Sequence, residues 1–398
     1  MLVARAVKEA LGASSMIRKM FEEGAELKKK YGAENVFDFS IGNPDLEPPP
    51  AFHRTLLRLV TEDAAGSHGY MPNAGYPEVR EALALKVSRE QGVEIDGRHI
   101  VMSAGAAGAL NVIFKAVLNP DDEVIVSKPY FMEYGPYIDN HRGKLVEVSA
   151  APDFDLDIDG IRRALNEKTA AVLVNSPHNP TGRVYPQKTI SALAEVLTRH
   201  GRDTGRYPYL VADEPYRELV YDGAVTPPIL SVYPHSIVAA SYSKNLSLPG
   251  ERIGYIAVGP RNDDKDVLIN ALVYTTRILG YVNAPALMQR CVAELTEVKA
   301  NVDVYAARRA AFKKTLEGAG IEYVNPEGAF YIFCRVPGGD DDSGFTAALK
   351  KHLILGVPGS SFGAPGWVRF AYCVNENMIR ASAAAFIAVR AQWQAMSM

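Results

Sequence analysis

Ser241-Tyr242-Ser243-Lys244-Asn245-Leu246-Ser247-Leu248-Pro249-Gly250-Glu251-Arg252 follows a short apolar run, Ile237 to Ala240, that reads as a buried strand. The lysine therefore sits just past a strand end, between hydroxyls. An arginine comes eight residues on, with Pro249-Gly250 turning the chain between them. Lysine can condense with an aldehyde, and its amine becomes nucleophilic when desolvation or nearby positive charge lowers its proton affinity. Two serines and an arginine are suitable donors to a phosphate. One cofactor carries both groups, pyridoxal 5'-phosphate (PLP). Taken alone the stretch also reads as a solvated loop with a surface lysine, because short motifs recur by chance. The rest of the chain has to decide.

The bulk numbers allow an ordinary globular protein. The chain has 398 residues, room for about two to three domains. It is 47% hydrophobic and 22% charged, with a net charge of −3. That charge gives no pull toward nucleic acid or an anionic membrane. No apolar run is long enough to span a bilayer, and Met1 to Gly12 lacks a secretory core. Cys291, Cys334 and Cys373 are odd in number and far apart, so neither a disulfide framework nor a zinc site is expected, and a cytoplasmic home is. The eight histidines never pair at metal-ligand spacing, and no metal is expected.

Ser14 or Ser15 could cap a first helix with Ile17, Met20, Phe21 and Leu27 on one face, ended by Gly32. Val36 to Ile41 reads as a strand running into Gly42-Asn43, which by itself is a plain turn. Pro48-Pro49-Pro50 is a stiff connector. Helices are expected from about Ala51 to Thr61 and from Pro77. Between them the loop Gly69-Tyr70-Met71-Pro72-Asn73-Ala74-Gly75 is dense in turn formers. After the apolar Ile100-Val101-Met102, the small residues from Ser103 to Leu110 open an apolar helix. Their backbone N–H groups make an anion site, or else they allow close helix packing.

Apolar runs then recur: Glu123 to Val126, Lys144 to Val148, Ala170 to Val174, Tyr209 to Ala212, Ile237 to Ala240 and Ile253 to Val258. Helical stretches such as Gln187 to His200 lie between them. Strands alternating with helices argue for an α/β protein with a mostly parallel central sheet sandwiched by helices. In such sheets ligands bind outside the carboxyl ends of the strands. Tyr130, Asn179, Asp213, Tyr216 and Lys244 all lie just past a strand's carboxyl end. That conjunction, rather than any one motif, turns the reading of Lys244 from loop to site.

The charged loop Arg261 to Asp266 looks like the exit from this large domain. A long helical region follows to Ala319, broken near Gly280 and Pro285. The remainder reads as a smaller α/β unit. It holds Gly328-Ala329-Phe330-Tyr331-Ile332-Phe333, a turn at Gly338 to Asp342, Val357 to Gly363 and the alternating Val368-Arg369-Phe370-Ala371-Tyr372. Arg369 on that strand suits bidentate carboxylate binding, although a surface ion pair is the commoner use of an arginine. The domains are therefore drawn as 1–48 joining the small domain, 49–285 the large domain and 286–398 the small C-terminal domain.

PLP is an electron sink, which a protein must hold by its aldehyde, its ring nitrogen and its phosphate. Asp213 is the candidate partner of the ring nitrogen, since an ionised carboxylate favours the protonated pyridine. Asn179 and Tyr216 would hydrogen-bond the ring oxygen, and Tyr130 would stack on the ring. Ser241, Ser243, Arg252 and the backbone of Gly105, Ala106 and Ala107 would hold the phosphate. Lys244, once displaced by an incoming amino acid, is set to act as general base.

The ordered set Asn179-Pro180-Thr181-Gly182, Asp213-Glu214-Pro215-Tyr216, Ser241 to Lys244 with Arg252-Ile253-Gly254-Tyr255, and Val368-Arg369-Phe370 resembles the class I/II aminotransferase family, aspartate aminotransferases included, over nearly the whole chain. The resemblance implies a fold-type I PLP enzyme with a large central domain and a small domain built from both chain ends. It further implies a homodimer with shared active sites and Lys244 as the lysine that bonds the cofactor. On the same pattern Tyr70 would reach the phosphate of the neighbouring subunit's cofactor. Arg369 would bind the substrate α-carboxylate, helped by Asn179 and the Gly42 backbone.

The phosphate turn Gly105-Ala106-Ala107 lacks the hydroxyl or lysine that many relatives carry, so one phosphate contact would come from backbone alone. Arg277 is the nearest candidate for reading a distal carboxylate. The expected reaction is a ping-pong transfer of an amino group between an L-amino acid, aspartate among them, and a 2-oxo acid. A carbon–sulfur β-lyase of the same fold is the alternative, since His178 before Asn179 occurs in both groups and fold alone does not separate them. A non-catalytic regulatory domain ranks last.

Overall fold

The computed structural model describes residues 3–4, 7–8 and 16–397, without the side chains of 16–19, 21, 396 and 397. Ser14 and Ser15, read as caps, and the side chains of Ile17 and Phe21 lie outside the described residues. The helix Met16–Tyr31 ends as expected, with Gly32 at φ 88° donating its N–H to the Lys28 carbonyl at 3.0 Å.

After a two-residue β1 (Phe37–Asp38), the main sheet takes β2 (Ile100–Ser103), β3 (Glu123–Lys128), β4 (Lys144–Ser149), β5 (Thr169–Asn175), β6 (Tyr209–Asp213), β7 (Ser236–Ser241) and β8 (Gly254–Val258). Their order across the sheet is β2-β8-β7-β6-β5-β3-β4, and β8 alone runs against its neighbours. Alternate residues face opposite cores. In β6, Leu210 and Ala212 join one cluster while Val211 joins the other, and β5 divides Val172 and Val174 from Ala171 and Leu173 in the same way. Continuous apolar strands are what a sheet covered on both faces requires.

The second unit is built on β9 (Tyr323–Val324), β10 (Tyr331–Arg335), β11 (Ile354–Leu355), β12 (Val357–Pro358) and β13 (Trp367–Ala371). The antiparallel order is β12-β13-β10-β9, and β1 pairs with β11 in parallel. Phe39 packs edge-on against Phe312 and Phe370 in this unit's core, so the chain's two ends share it. The strand expected from Val36 to Ile41 shrinks to Phe37–Asp38. Its continuation bridges instead: the Phe39 N–H donates to the Leu355 carbonyl, and the Phe39 carbonyl accepts from the Ala371 N–H.

The division at 285 cuts through the packing. Met288, Cys291, Val292 and Leu295 belong to the main-sheet cluster, because the helix Ala286–Ala293 lies against the helices Pro50–Thr61 and Pro77–Gln91. Nor does the chain leave the large unit at Arg261–Asp266, since Leu268 and Leu272 of the next helix, Lys265–Ile278, pack in the second cluster. Across the units Arg183 pairs with Glu327 at 3.1 Å, and the Arg309 Nη2 reaches Asp222 at 2.6 Å. No helix among the described residues is long and apolar enough to cross a membrane.

Candidate active site

β5, β6 and β7 end side by side, and their last residues open a cavity of about 400 Å³ that the second unit closes from the other side. Asp213 is the final residue of β6. Its Oδ2 accepts a hydrogen bond from the Tyr134 hydroxyl at 2.6 Å, while its Oδ1 is buried with no partner. Burial pushes this carboxyl up to about 6, with the Tyr134 hydrogen bond working the other way. A buried, unpaired carboxylate oxygen is costly unless something cationic meets it.

Lys244 lies three residues past β7. Its Nζ donates to the Gly42 carbonyl at 2.6 Å and stands 5.6 Å from the centre of the Phe330 ring. Burial of the amine end lowers its proton affinity to about 8; the Cys373 thiol opposes that, and the positive Arg369 and Arg252 add to it. A lysine amine shifted in this direction carries more of its free form at neutral pH than an exposed lysine does. Gly42 has no room for a side chain, since a Cβ there would lie 1.9 Å from the Tyr331 hydroxyl.

On the same edge Ser241 and Ser243 share a hydroxyl–hydroxyl contact of 2.6 Å. Arg252, held at φ 49°, donates Nη1 to the Pro249 carbonyl at 2.9 Å and lies over Gly105. A Cβ on Gly105 would come within 2.7 Å of Arg252 Nη2, so glycine is what lets the arginine settle there. Ala106 and Ala107 line the cavity in the first turn of the helix Gly105–Val117, whose first N–H groups have no intrahelical acceptors. Together these groups gather the donors of a candidate anion cradle.

At the opposite end Arg369 is fully buried on β13. Its Nη1 donates to Asn179 Oδ1 at 2.9 Å and its Nη2 to the Ser40 carbonyl at 2.7 Å, leaving Nε unpartnered. Asn179 is fixed in turn by its N–H to Asn175 Oδ1 at 2.8 Å, and Asn175 Nδ2 donates to the Asp213 carbonyl at 2.8 Å. The Tyr216 hydroxyl meets that of Tyr331 at 2.8 Å.

With that geometry the comparisons with known proteins agree. Residues 34–386 match the family Aminotransferase class I and II. The chain belongs to that family. The aspartate/prephenate aminotransferase of Thermus thermophilus is 34% identical over 86% of this chain and 87% of its own length. An amino transferase structure from Eubacterium rectale is 37% identical, with a TM-score of 0.95 over 99% of both chains. The Thermus thermophilus aspartate aminotransferase with maleate is 30% identical, with a TM-score of 0.86 over 98% of this chain and 100% of that one. The protein is an aminotransferase, of a family that uses PLP.

Not every residue named from the sequence lines this cavity. Tyr130 does not: it packs behind the site, and its hydroxyl donates to Glu147 of β4 at 2.8 Å. The next residue, Phe131, faces the cavity in its stead. Tyr70 is 95% exposed and Arg277 is exposed too, its guanidinium 5.7 Å from the ring of Tyr274; neither borders its own chain's cavity. His178 is buried behind the Asn179 turn with Nδ1 on the Thr181 hydroxyl at 2.8 Å, and burial takes its proton affinity down to about 3. Glu214, beside Asp213, turns away to Arg217 and Gln91.

Sequence reasoning misses Asn175, Tyr134, Phe131, Tyr331 and Ser40. The strand-end rule reaches Asn175, the last residue of β5, and Tyr134 stands four residues beyond Tyr130 in a stretch rich in aromatics. For Ser40 and Tyr331 no local signal exists, because their role arises from contacts across the whole chain.

Proposed function

We propose that this aminotransferase moves the amino group of a dicarboxylic L-amino acid, aspartate first, to a 2-oxo acid, with PLP bound in the cavity and two chains forming the working unit. The observation that carries the cofactor reading is Asp213 Oδ1, buried and without a partner at the floor of the cavity. A protonated ring nitrogen is the partner it lacks. The anion cradle around Gly105 and Arg252 fits a phosphate.

In this reading Lys244 holds the cofactor's aldehyde carbon, Asp213 its ring nitrogen, and Asn179 and Tyr216 its ring oxygen. Ser241, Ser243, Arg252 and the N–H groups of Ala106 and Ala107 hold the phosphate, and Phe131 rather than Tyr130 covers a ring face. When bound, PLP supplies a sink for the electron pair left as the substrate's α-carbon gives up its proton. The Lys244 Nζ, once released from the aldehyde carbon, takes that proton, and its lowered proton affinity leaves a larger share of it as free amine near neutral pH than an exposed lysine has. Arg369 clamps the α-carboxylate with its fork, and Asn179 holds the fork in line. The small unit that carries Arg369 is taken as the residues up to about 48 together with those beyond about 295, and its closure would keep water from the reacting carbon.

The dimer reading is supported by Tyr70, an aromatic left in solvent on a loop that is itself fastened. Asn73 Nδ2 donates to the Val282 carbonyl at 3.0 Å and Asn283 Nδ2 to the Pro72 carbonyl at 2.9 Å. An ordered loop presenting a bare tyrosine suits a partner's phosphate cradle. The choice of aspartate is supported by the activity named for the Thermus relative and by maleate, a dicarboxylate, in the Thermus structure. Arg277 could serve a distal carboxylate only across the dimer.

The test is turnover of the purified protein with PLP, aspartate and a 2-oxo acid, counting product 2-oxo acid against amino acid consumed. Equal amounts are expected, and Lys244→Ala is expected to lose at least a thousand-fold in rate (about 4 kcal/mol of barrier) with an unchanged circular dichroism spectrum. Wild-type rate in Lys244→Ala would remove the lysine from the mechanism. A mixture of Lys244→Ala and Tyr70→Phe chains should recover activity that neither has alone; no recovery would argue against shared sites.

A further inference from the structure

Tyr331 lies where three parts of the site meet. Its hydroxyl is 2.8 Å from that of Tyr216 and directly under the Gly42 Cα, whose carbonyl accepts from Lys244. Its ring carries the Arg369 guanidinium at 4.5 Å, and Phe362 flanks the same guanidinium at 4.8 Å. A planar cation held against two rings keeps its orientation, which fixes the direction in which a carboxylate can be gripped. Tyr331 is itself aimed from behind. Ala329, two residues before it, is in the left-handed region at φ 56°, which an alanine occupies only when its surroundings hold it there. The Ala329 carbonyl accepts from the hydroxyls of both Tyr221 (2.5 Å) and Tyr372 (3.2 Å), and its N–H donates to the Leu219 carbonyl at 2.8 Å.

We infer that Tyr331 is a positioning residue that couples the two ends of the site, its ring orienting Arg369 for the substrate carboxylate and its hydroxyl donating to Tyr216. The direction of that hydrogen bond follows from the acceptors available. Tyr216 has one proton, and in the reading above it is spent on the cofactor's ring oxygen. The Tyr331 hydroxyl must then donate to the Tyr216 oxygen, which makes Tyr216 a stronger donor in its turn. A stronger donor on the ring oxygen favours its anionic form and lowers the pH at which the bound cofactor loses its proton. The inference rests on the reading of Tyr216 as a contact of PLP.

The test is a pH titration of the visible absorbance of the PLP-loaded protein, with no substrate present. Tyr331→Phe is expected to raise the midpoint by roughly half a pH unit. Tyr216→Phe should raise it further, and Tyr331→Phe added to Tyr216→Phe should change nothing more. An unmoved midpoint in Tyr331→Phe, or a shift that persists when Tyr216 is already phenylalanine, would overturn the coupling through Tyr216. Should Tyr331→Phe not fold, Tyr331→His keeps a ring and a donor and should hold the midpoint nearer to wild type than Tyr331→Leu does. For the ring's part, Tyr331→Leu should raise KM for the amino donor about ten-fold above that of Tyr331→Phe; equal KM values would dismiss it. If the wild-type protein develops no visible band with PLP, the cofactor reading fails first, and that result is distinct from a band that titrates alike in both proteins.

Discussion

The two ends of the cavity are built differently. At the end proposed for the cofactor, Asp213, Ser241, Ser243, Lys244 and Arg252 come from one stretch of about forty residues, at and beyond the ends of the adjacent strands β6 and β7. At the end proposed for the substrate carboxylate, Ser40, Asn179, Tyr331 and Arg369 come from segments more than a hundred residues apart in most cases, brought together by contacts between the units. The residues of the first end are placed by backbone at the sheet's edge, and only the Lys244 amine reaches across to the small unit, at the Gly42 carbonyl. The second exists only when the small unit is docked, so its precision depends on long-range packing.

That contrast can be broken by substitution. After Lys244→Ala, the largest effect is expected from Asp213→Asn, which removes the charge proposed to face the ring nitrogen and should lower kcat by roughly a hundred-fold; full activity would end the proposed role. The same change should stabilise the cofactor-free protein. Burial raises the folded-state proton affinity of Asp213 to about 6 from its ordinary 3.8, so the carboxylate form is disfavoured in the fold. Its cost is absent below the unfolded value and fully present above about pH 6. The Asp213→Asn variant should therefore melt a few degrees higher than wild type at pH 7 to 8, about 1 to 3 kcal/mol, with the gain fading as pH falls from 6 toward 4. A gain that instead grew in acid would mean that Asp213 is stabilised as the anion.

At the other end Arg369→Lys keeps the charge and loses the fork. KM for the amino donor should rise about ten-fold with a smaller change in kcat. A fall in kcat equal to that seen for Asp213→Asn would mean that the two ends do not work separately. The smallest effect sharpens rather than breaks the comparison. The rate at which cofactor-free protein takes up PLP, followed by visible absorbance, should rise with pH to a midpoint near 8, as the Lys244 amine loses its proton. A midpoint near the ordinary lysine value would show that the amine is solvated.

Sequence alone reaches most of the cofactor end because the rule it uses is local. A strand ends, the chain turns, and whatever follows faces the sheet's carboxyl edge. Lys244, Asp213 and Asn179 are reached in this way, and Arg252 by its distance from Lys244. The rule does not resolve single-residue steps inside a turn. It selects Tyr130 where Phe131 faces the cavity, because the hydroxyl of Tyr130 finds Glu147 on the neighbouring strand. Nor does it say where a helix will pack. The breaks near Gly280 and Pro285 suggest a boundary at 285, yet Met288, Cys291, Val292 and Leu295 bury their side chains in the main-sheet core.

The sequence by itself determined the alternation of strand and helix, the apolar strands that demand a sheet covered on both faces, and the set of reactive residues at its edge. These depend on periodicity and on turns of a few residues. Tertiary structure alone decided that Arg369 points inward to Asn179 and Ser40, that Tyr331 joins Tyr216 beneath Gly42, and that Tyr70 is left bare on a fastened loop. Each of those contacts links positions whose proximity no local pattern encodes, because it is fixed by how β10 and β13 pair and how the small unit's core closes on the large one.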